Sequence, residues 1–148
     1  MIKVIPFHPK HMVDLPVLLG CYEGDFDLPN RITALFGVPG SLMHTLMNGE
    51  QPIAVVGGVL NKHILTIWAA ASEAVKEHGF GYHRAVLRLL GNTVRETGVK
   101  RVQSLVNANN EAAIAQHRAM GFECEGLLKM SGPNMQDEFL FARIYDGR

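Results

Sequence analysis

The chain has 148 residues, a length that fits one domain over residues 1–148. Hydrophobic residues make up 47% of the sequence and charged residues 19%, which excludes an intrinsically disordered chain. Fourteen Lys and Arg balance fourteen Asp and Glu, and a net charge of zero gives no support to a broad surface for nucleic acid or for an anionic membrane. A small basic pocket for a single phosphate group is compatible with this balance.

The cysteine and histidine patterns exclude the common metal and redox motifs. Cys21 and Cys124 are the two cysteines and form no Cys-x-x-Cys pair, so neither a zinc knuckle nor a thioredoxin-type motif fits. Seven histidines form no His-x-x-x-His or His-Glu-x-x-His pattern, and His8 and His11 have no third ligand nearby in sequence. We therefore expect no metal site and reduced thiols.

The sequence also lacks signals for export or membrane insertion. The N-terminal residues have no long apolar core of a signal peptide, and no run of 18 apolar residues occurs. The expected protein is soluble and cytoplasmic, with small molecules or proteins as partners and neither nucleic acid nor membrane.

Apolar periodicity and turn residues predict the elements in chain order. The predicted strands cover residues 1–5, 52–60, 63–70, 100–106, 122–130 and 138–145. The predicted helices cover residues 10–21, 31–36, 42–47, 82–97 and 109–120. Ser41 is the predicted N-cap of the third of these helices, and Gly98 the predicted C-cap of the fourth. This order indicates an α/β (α+β layered) domain with a mixed, mostly antiparallel central sheet flanked by helices.

A motif near the C-terminus resembles the signature of a known superfamily. It reads Asn110-x-x-Ala113-Ile114-x-x-His117-x-x-x-Gly121-Phe122. This spacing is similar to that of the GCN5-related N-acetyltransferases (the GNAT superfamily), whose order of elements also resembles the whole chain. The resemblance implies the GNAT fold and transfer of an acetyl group from acetyl-CoA to an amine. It also allows a homodimer formed through the last strands.

The resemblance implies a site for the CoA pyrophosphate at the start of the long predicted helix. The family places the pyrophosphate on main-chain N–H groups of a glycine-containing loop, where the helix dipole favours an anion. One register matches Lys76-x-x-Gly79-x-Gly81, with Lys in place of the family's Gln or Arg. A second register puts Gly81 at the first glycine and His83 at the last position, and both stay open.

The resemblance also implies where the remainder of the cofactor lies. The family's pantetheine arm pairs with the strand before the pyrophosphate loop, and small side chains at Ala69, Ala70 and Ala71 leave room for it. The residues expected to contact acetyl-CoA are, together, Ala69, Ala70, Ala71, Lys76, His78, Gly79, Gly81, Tyr82, His83 and Asn110.

The candidate catalytic groups are histidines. In the family, a Tyr seven residues after the Asn protonates the departing CoA sulfur, and His117 occupies that position here. A histidine can donate a proton near neutral pH. His63, the only titratable residue between positions 63 and 71, is the candidate general base, and His44, His78 and His83 are alternatives.

Two alternatives share the fold and differ in function. The first is a catalytically inactive structural protein, of the kind found among phage virion proteins that resemble the family. There a Ser- or Thr-capped helix replaces the glycine loop, and residues 72–75 match such a start. The second is a regulatory module that binds CoA without turnover. The sequence does not identify the amine that accepts the acetyl group. Glu23, Asp25 and Asp27 form an acidic segment that suits a cationic amine.

Overall fold

The computed structural model describes residues 1–15 and 28–146. Its strands are β1 (Ile2–Pro6), β2 (Ser41–Asn48), β3 (Gln51–Asn61), β4 (Ile64–Ala71), β5 (Arg101–Asn107), β6 (Glu123–Leu128) and β7 (Glu138–Ile144). Its α-helices are α1 (Leu28–Leu35), α2 (Gly79–Thr97) and α3 (Glu111–Ala119), and 3-10 helices cover Pro9–Met12 and Glu73–His78. Cys21 and the acidic segment at Glu23, Asp25 and Asp27 lie outside the described residues, as does the second half of the helix predicted over residues 10–21. The described first half is helical only in the 3-10 turn that ends at Met12.

One seven-stranded sheet organises this part of the chain, in the order β1-β2-β3-β4-β5-β7-β6. The contact between β4 and β5 is parallel and the other neighbouring pairs are antiparallel. The predicted mixed, mostly antiparallel sheet is therefore confirmed. The parallel contact follows from connectivity, because α2 carries the chain from the end of β4 back to the start of β5.

The helices cover both faces of the sheet. Val86 and Leu90 of α2 belong to one apolar cluster with Val102 and Phe141 of the sheet. On the opposite face, α1 places Ile32 in a separate cluster with three buried residues, Phe7, Val55 and Ala70. The core thus lies in two layers, one on each side of the strands.

Alternation along β5 decides which of its side chains face α3. Val102, Ser104 and Val106 are buried, whereas Leu105 is exposed. Since successive side chains of a strand point to opposite faces, Ser104 lies on the same face as the two valines. A hydroxyl therefore occupies a position in an otherwise apolar row.

The sheet opens between β4 and β5. Their pairing covers only Ile64–Thr66 and Arg101–Gln103, although β4 continues to Ala71 and β5 to Asn107. The side-chain amide of Gln103 donates to Thr66 Oγ1 at 3.2 Å across the last pair. Beyond this point the two strands diverge and leave a gap in the middle of the sheet.

The prediction of a short helix over residues 42–47, capped by Ser41, is wrong. This segment is β2, which pairs with both β1 and β3. A short apolar run has no decisive periodicity, and pairing on both sides satisfies its main-chain groups as a strand. Gly40, at φ +82°, makes the turn into β2 and accepts a hydrogen bond from Leu60 N.

The other boundaries differ from the predictions by a few residues. Helix α2 begins at Gly79, three residues earlier than predicted, and directly follows the 3-10 helix that starts after Ser72. Gly98 adopts the left-handed conformation at φ +69° and ends α2 as predicted. Asn110 caps α3, with its side chain accepting from Ala113 N at 3.1 Å.

Gly57 provides a test of the packing in the middle of the sheet. A Cβ atom at this position would lie 2.5 Å from the Trp68 ring and 2.7 Å from the Leu42 carbonyl oxygen. We expect Gly57→Ala to lower the free energy of unfolding by about 1–3 kcal/mol through overpacking, measured by urea denaturation. Gly126→Ala is the matched control, because a Cβ on that strand glycine meets nothing within 4 Å. Equal stabilities of the two variants would contradict this packing.

Candidate active site

A cavity of about 570 Å³ occupies the gap between β4 and β5 and continues beneath α2. Side chains from β2, β3, β4, β5, α2 and α3 line it, and most of them are apolar. Its volume lies in the range of small-molecule and cofactor sites. The separation of the two strands therefore produces a cleft that reaches the centre of the domain.

One end of the cavity is the first turn of α2. Lys76, Gly79 and His83 line this end. The first turn of α2 contains no acidic residue, and His78 at its N-cap makes no side-chain cap bond within the described part of the chain. A Cβ at Gly79 would meet nothing within 4 Å, so the main chain there is open to an approaching group. The positive end of the helix dipole and the Lys76 ammonium group, which also lies 4.0 Å from Glu73 Oε1, favour an anion here.

The three consecutive alanines of β4 divide between the two faces of the sheet. Ala69 and Ala71 line the cavity, together with Tyr82 of α2 and Asn110 at the start of α3. Ala70 is fully buried in the cluster on the α1 side. Alternation along the strand explains this division, because only every second side chain faces the helices α2 and α3.

Besides Ala70, three of the residues that the sequence indicated do not line the cavity. His63 is exposed in the turn before β4, where its carbonyl oxygen accepts from Lys100 N and Arg101 N. His78 turns towards β2, and its Nε2 lies 3.1 Å from the side-chain nitrogen of Asn48. Gly81 faces β1, since a Cβ there would lie 3.3 Å from the Ile2 side chain.

His117 lies in the cavity wall, and both of its ring nitrogens have hydrogen-bond partners. Nδ1 is 2.7 Å from the Ala113 carbonyl oxygen, and Nε2 is 3.0 Å from Ser104 Oγ. A carbonyl oxygen only accepts, so Nδ1 carries a proton and donates it to Ala113. In the neutral ring, Nε2 is then unprotonated and accepts the hydroxyl proton of Ser104. Neutral His117 is thereby arranged as a proton acceptor towards Ser104.

Two aromatic side chains pack against the imidazole of His117. The ring centroids of Phe122 and Phe141 lie 5.6 and 5.5 Å from that of His117. Burial lowers the pKa of His117 below its ordinary value, while the bond to the Ala113 carbonyl acts in the opposite direction. The neutral state that can accept a proton from Ser104 is therefore the favoured state at pH 7.

The charged and polar groups of the cavity are unevenly distributed. None of its lining residues within the described part of the chain is Asp or Glu, whereas His44, Lys76, His83 and His117 are basic. Burial lowers the pKa of His44, with Glu96 acting the other way. Burial also raises the pKa of Tyr82 to about 12, although a side-chain hydrogen bond with Gln116 acts to lower it. This hydrogen bond joins α2 to α3. The cavity is suited to an anionic or neutral ligand.

Sequence reasoning did not identify Ser104 or Gln116. Gln116 lies in a short predicted helix of mostly small and polar residues, and no sequence motif includes it. Ser104 had a usable signal, because it interrupts an alternating buried row between Val102 and Val106. A polar residue at such a position needs a hydrogen-bond partner, which the structure shows to be His117 of α3.

The described residues form neither a metal site nor a membrane-spanning helix. In that part of the chain, His, Cys, Asp and Glu side chains form no group of three or more able to hold a metal ion. No helix over residues 1–15 and 28–146 is both long and apolar enough to cross a membrane.

Comparison with known proteins places the fold. No protein-family model and no curated protein sequence matches the chain. Among solved structures, Ard1 from Thermoplasma volcanium superposes with a TM-score of 0.78 at 17% identity, covering 97% of each chain. The ribosomal-protein-S18-alanine N-acetyltransferase from Escherichia coli gives 0.73 at 16% identity, covering 100% of this chain and 99% of that enzyme.

A third similar structure has a different acceptor in its name. It is a spermidine N-acetyltransferase SpeG chimera from Vibrio cholerae and hSSAT, with a TM-score of 0.79 at 13% identity, covering 97% of this chain and 95% of that one. The chain has the GNAT fold over nearly its whole length, and the fold expected from the Asn110 to Phe122 motif is confirmed. Identities this low define the fold alone.

The burial of His117 predicts a pH dependence of stability. The unfolded imidazole takes up a proton near pH 6.5, whereas the folded imidazole resists it, so the unfolded state binds more protons below that pH. The free energy of unfolding therefore falls as the pH drops below about 6.5, by about 1.4 kcal/mol for each pH unit over which only the unfolded form is protonated.

Urea denaturation at pH 7 and pH 5 measures this effect. We expect His117→Phe to show a smaller fall between the two pH values than the unaltered protein, whatever its stability at pH 7. The control is His63→Phe, which removes an exposed imidazole and is expected to keep the full fall. An equal fall in His117→Phe and the unaltered protein would contradict the assignment.

Proposed function

We propose that the protein is an N-acetyltransferase that transfers an acetyl group from acetyl-CoA to a primary amine. The observation that carries this proposal is a single cavity that runs from the first turn of α2 into the gap between β4 and β5. It joins an anion-favouring end to the gap in which the facing edges of β4 and β5 are not paired with each other. The shared fold with N-acetyltransferases supports the same reading.

In this proposal each part of the cofactor has a place in the cavity. The pyrophosphate lies against the first turn of α2 near Lys76, Gly79 and His83. The pantetheine arm pairs with the edge of β4 that Ala69 and Ala71 flank. Acetyl-CoA would supply an activated thioester when bound, and Ser104 and His117 line the same cavity as the residues proposed to hold its pyrophosphate. The small alanine side chains leave the width that the arm needs.

His117 is the proton-transferring group of the proposed reaction. Its position in the sequence motif corresponds to the family's acid, and its neutral ring accepts a proton at Nε2. An ammonium acceptor must lose a proton to react, and the departing sulfur must gain one. A single imidazole that takes and returns a proton serves both needs. His63 is left out of this scheme because it lies in an exposed turn.

A structural role without catalysis has one observation in its favour. Ser72 is the N-cap residue of the 3-10 helix, and a Ser-capped helix at this place is what the catalytically inactive alternative predicts. Its fully buried hydroxyl makes no cap bond, however, and has no hydrogen-bond partner among the described residues. Failure to bind CoA would favour this alternative over the enzyme.

Ligand binding tests the location of the cofactor. We expect acetyl-CoA at about a hundred times its Kd to stabilise the protein by roughly 2.7 kcal/mol, which raises the Tm by several degrees. Gly79→Asp is expected to abolish this rise, because the carboxylate repels the phosphates. The variant itself should not lose stability, since an acidic residue suits the first turn of a helix. Gly81 is a poorer choice for the test because of its contact with Ile2.

Gly126→Asp is the control for charge. It changes the net charge equally, on a strand where a Cβ meets nothing within 4 Å, and should keep the rise in Tm. A rise that persists in Gly79→Asp would place the cofactor elsewhere. No rise in the unaltered protein at millimolar acetyl-CoA or CoA would refute the enzyme proposal and leave the fold as described.

Acetyl transfer itself is tested with two amine probes, a peptide with an N-terminal alanine and spermidine. We expect His117→Phe to lower kcat by at least about 10²-fold with the best acceptor, the usual size of a general acid or base contribution. The Tm rise with CoA should remain in this variant, which shows that binding survives. His63→Phe should keep the full kcat, and an unchanged kcat in His117→Phe would contradict the role.

A further inference from the structure

We propose that the cavity takes acyl groups longer than acetyl, so that the donor is an acyl-CoA with a short or medium straight hydrocarbon chain. This inference rests on the proposed function, because the CoA part must occupy the first turn of α2 and the gap between β4 and β5. It goes further by naming the chemical class of the acyl group and the residues that enclose it.

The cavity extends past the gap between β4 and β5. The part of β4 that is not paired with β5, residues 67–71, spans about 13 Å at the usual rise of about 3.3 Å per residue. Along α2, however, the cavity wall runs from Gly79 to Thr93, which is about 21 Å at about 1.5 Å per residue. The cavity is therefore longer than the unpaired edge along which the arm of CoA would lie.

The additional space lies beneath the second half of α2. We call it the inner chamber, and its walls include Leu42, Val56, Leu65, Leu89 and Thr93. Leu65 comes before the gap, since it pairs with Val102 of β5. Because α2 runs back from the end of β4 towards the start of β5, its later turns lie over this paired part of the sheet. The inner chamber thus continues the gap in the direction away from the first turn of α2.

The walls of the inner chamber suit a hydrocarbon. Four of its five named side chains are aliphatic, and those of Val56 and Leu65 are buried. The Thr93 hydroxyl already donates to the Leu89 carbonyl oxygen at 2.9 Å, so it does not require a polar ligand. His44 also lines the cavity, and because burial lowers its pKa, its uncharged form is favoured there. An uncharged apolar chain is therefore the ligand that these walls favour.

An apolar space of this extent is itself an argument for a ligand. Protein interiors pack as densely as organic crystals, and voids larger than a water molecule are few. A methylene group that moves from water into such a space strengthens binding about fourfold, which corresponds to about 0.8 kcal/mol. Each carbon of an acyl chain that reaches the inner chamber should therefore tighten the binding of the donor.

The transfer step balances for any length of the acyl chain. In the proposed arrangement the thioester carbonyl lies at the closed end of the gap, beyond which β4 and β5 are paired. The amine nitrogen bonds to the carbonyl carbon, the carbon–sulfur bond breaks, and the proton that the nitrogen loses ends on the sulfur. The products are an amide and free CoA. The hydrocarbon chain extends past the carbonyl into the inner chamber and takes no part in the bond changes.

The experiment titrates the full chain with CoA, acetyl-CoA, butyryl-CoA, hexanoyl-CoA and octanoyl-CoA, and measures each Kd by isothermal titration calorimetry. We expect the Kd to fall from acetyl-CoA to hexanoyl-CoA by up to about fourfold for each added methylene group. The fall should stop at the chain length that fills the inner chamber.

Thr93→Phe tests where the chain lies, because it adds an aromatic ring to the wall of the inner chamber. We expect this variant to lose the gain in affinity from acetyl-CoA to hexanoyl-CoA. It should still bind CoA, since position 93 is about 21 Å from Gly79 along α2. Thr97→Phe is the matched control and should keep the full gain. Thr97 is exposed on the same helix, and its hydroxyl likewise donates to the carbonyl oxygen four residues earlier.

Leu42→Ala provides a second test that does not depend on the folding of Thr93→Phe. It enlarges the inner chamber, so the chain length at which the Kd stops falling should increase. Thermal unfolding without ligand shows which variants are folded. An unchanged limit in a folded Leu42→Ala variant would contradict the position of the chain.

The outcomes separate this inference from the proposed function. A gain with chain length that disappears in Thr93→Phe supports the inference. If the unaltered protein binds acetyl-CoA at least as tightly as hexanoyl-CoA, the inference is overturned and the proposed function stands. A gain that persists in Thr93→Phe also overturns the inference, because the chain then lies elsewhere. A protein that binds none of the five ligands overturns both.

Discussion

The early end of parallel pairing between β4 and β5 is the constraint on which the candidate site depends. Three residue pairs hold the two strands together, and the strands then diverge after Thr66 and Gln103. Main-chain groups along the two edges are left for a ligand to satisfy, because an unpaired buried amide or carbonyl is costly. The cavity, the exposed edge of β4 and the position of Ser104 all follow from this divergence. A fully paired sheet would have none of them.

Burial of an imidazole among phenylalanines imposes a second constraint on the chemistry. His117 cannot easily carry a charge there, so its useful state is neutral. The Ala113 carbonyl then decides which nitrogen holds the proton, and the site becomes a base directed at Ser104. In its neutral state this imidazole thus accepts a proton from Ser104 and does not donate one to it.

Sequence patterns gave most of the fold and part of the site, for physical reasons that can be named. The long periodic helix ending at Gly98 and the Asn110 cap are local features, and local features are readable from sequence. The β2 segment was misread because a short apolar run acquires its form from its two neighbouring strands. Ser104 was missed because its importance arises from a contact 13 residues away, on another element.

The same divergence divides the sheet into two parts with different folding behaviour. Strands β1 to β4 pair among themselves, as do β5 to β7, mostly between segments close in sequence. The joint between β4 and β5 closes a loop that contains all of α2, so we expect it to form after the more local hairpins β2–β3 and β3–β4. It is also the place where neighbouring strands share the fewest main-chain bonds. Local opening should therefore concentrate there, and amide hydrogen exchange of residues 67–71 should slow most when a ligand bridges both edges.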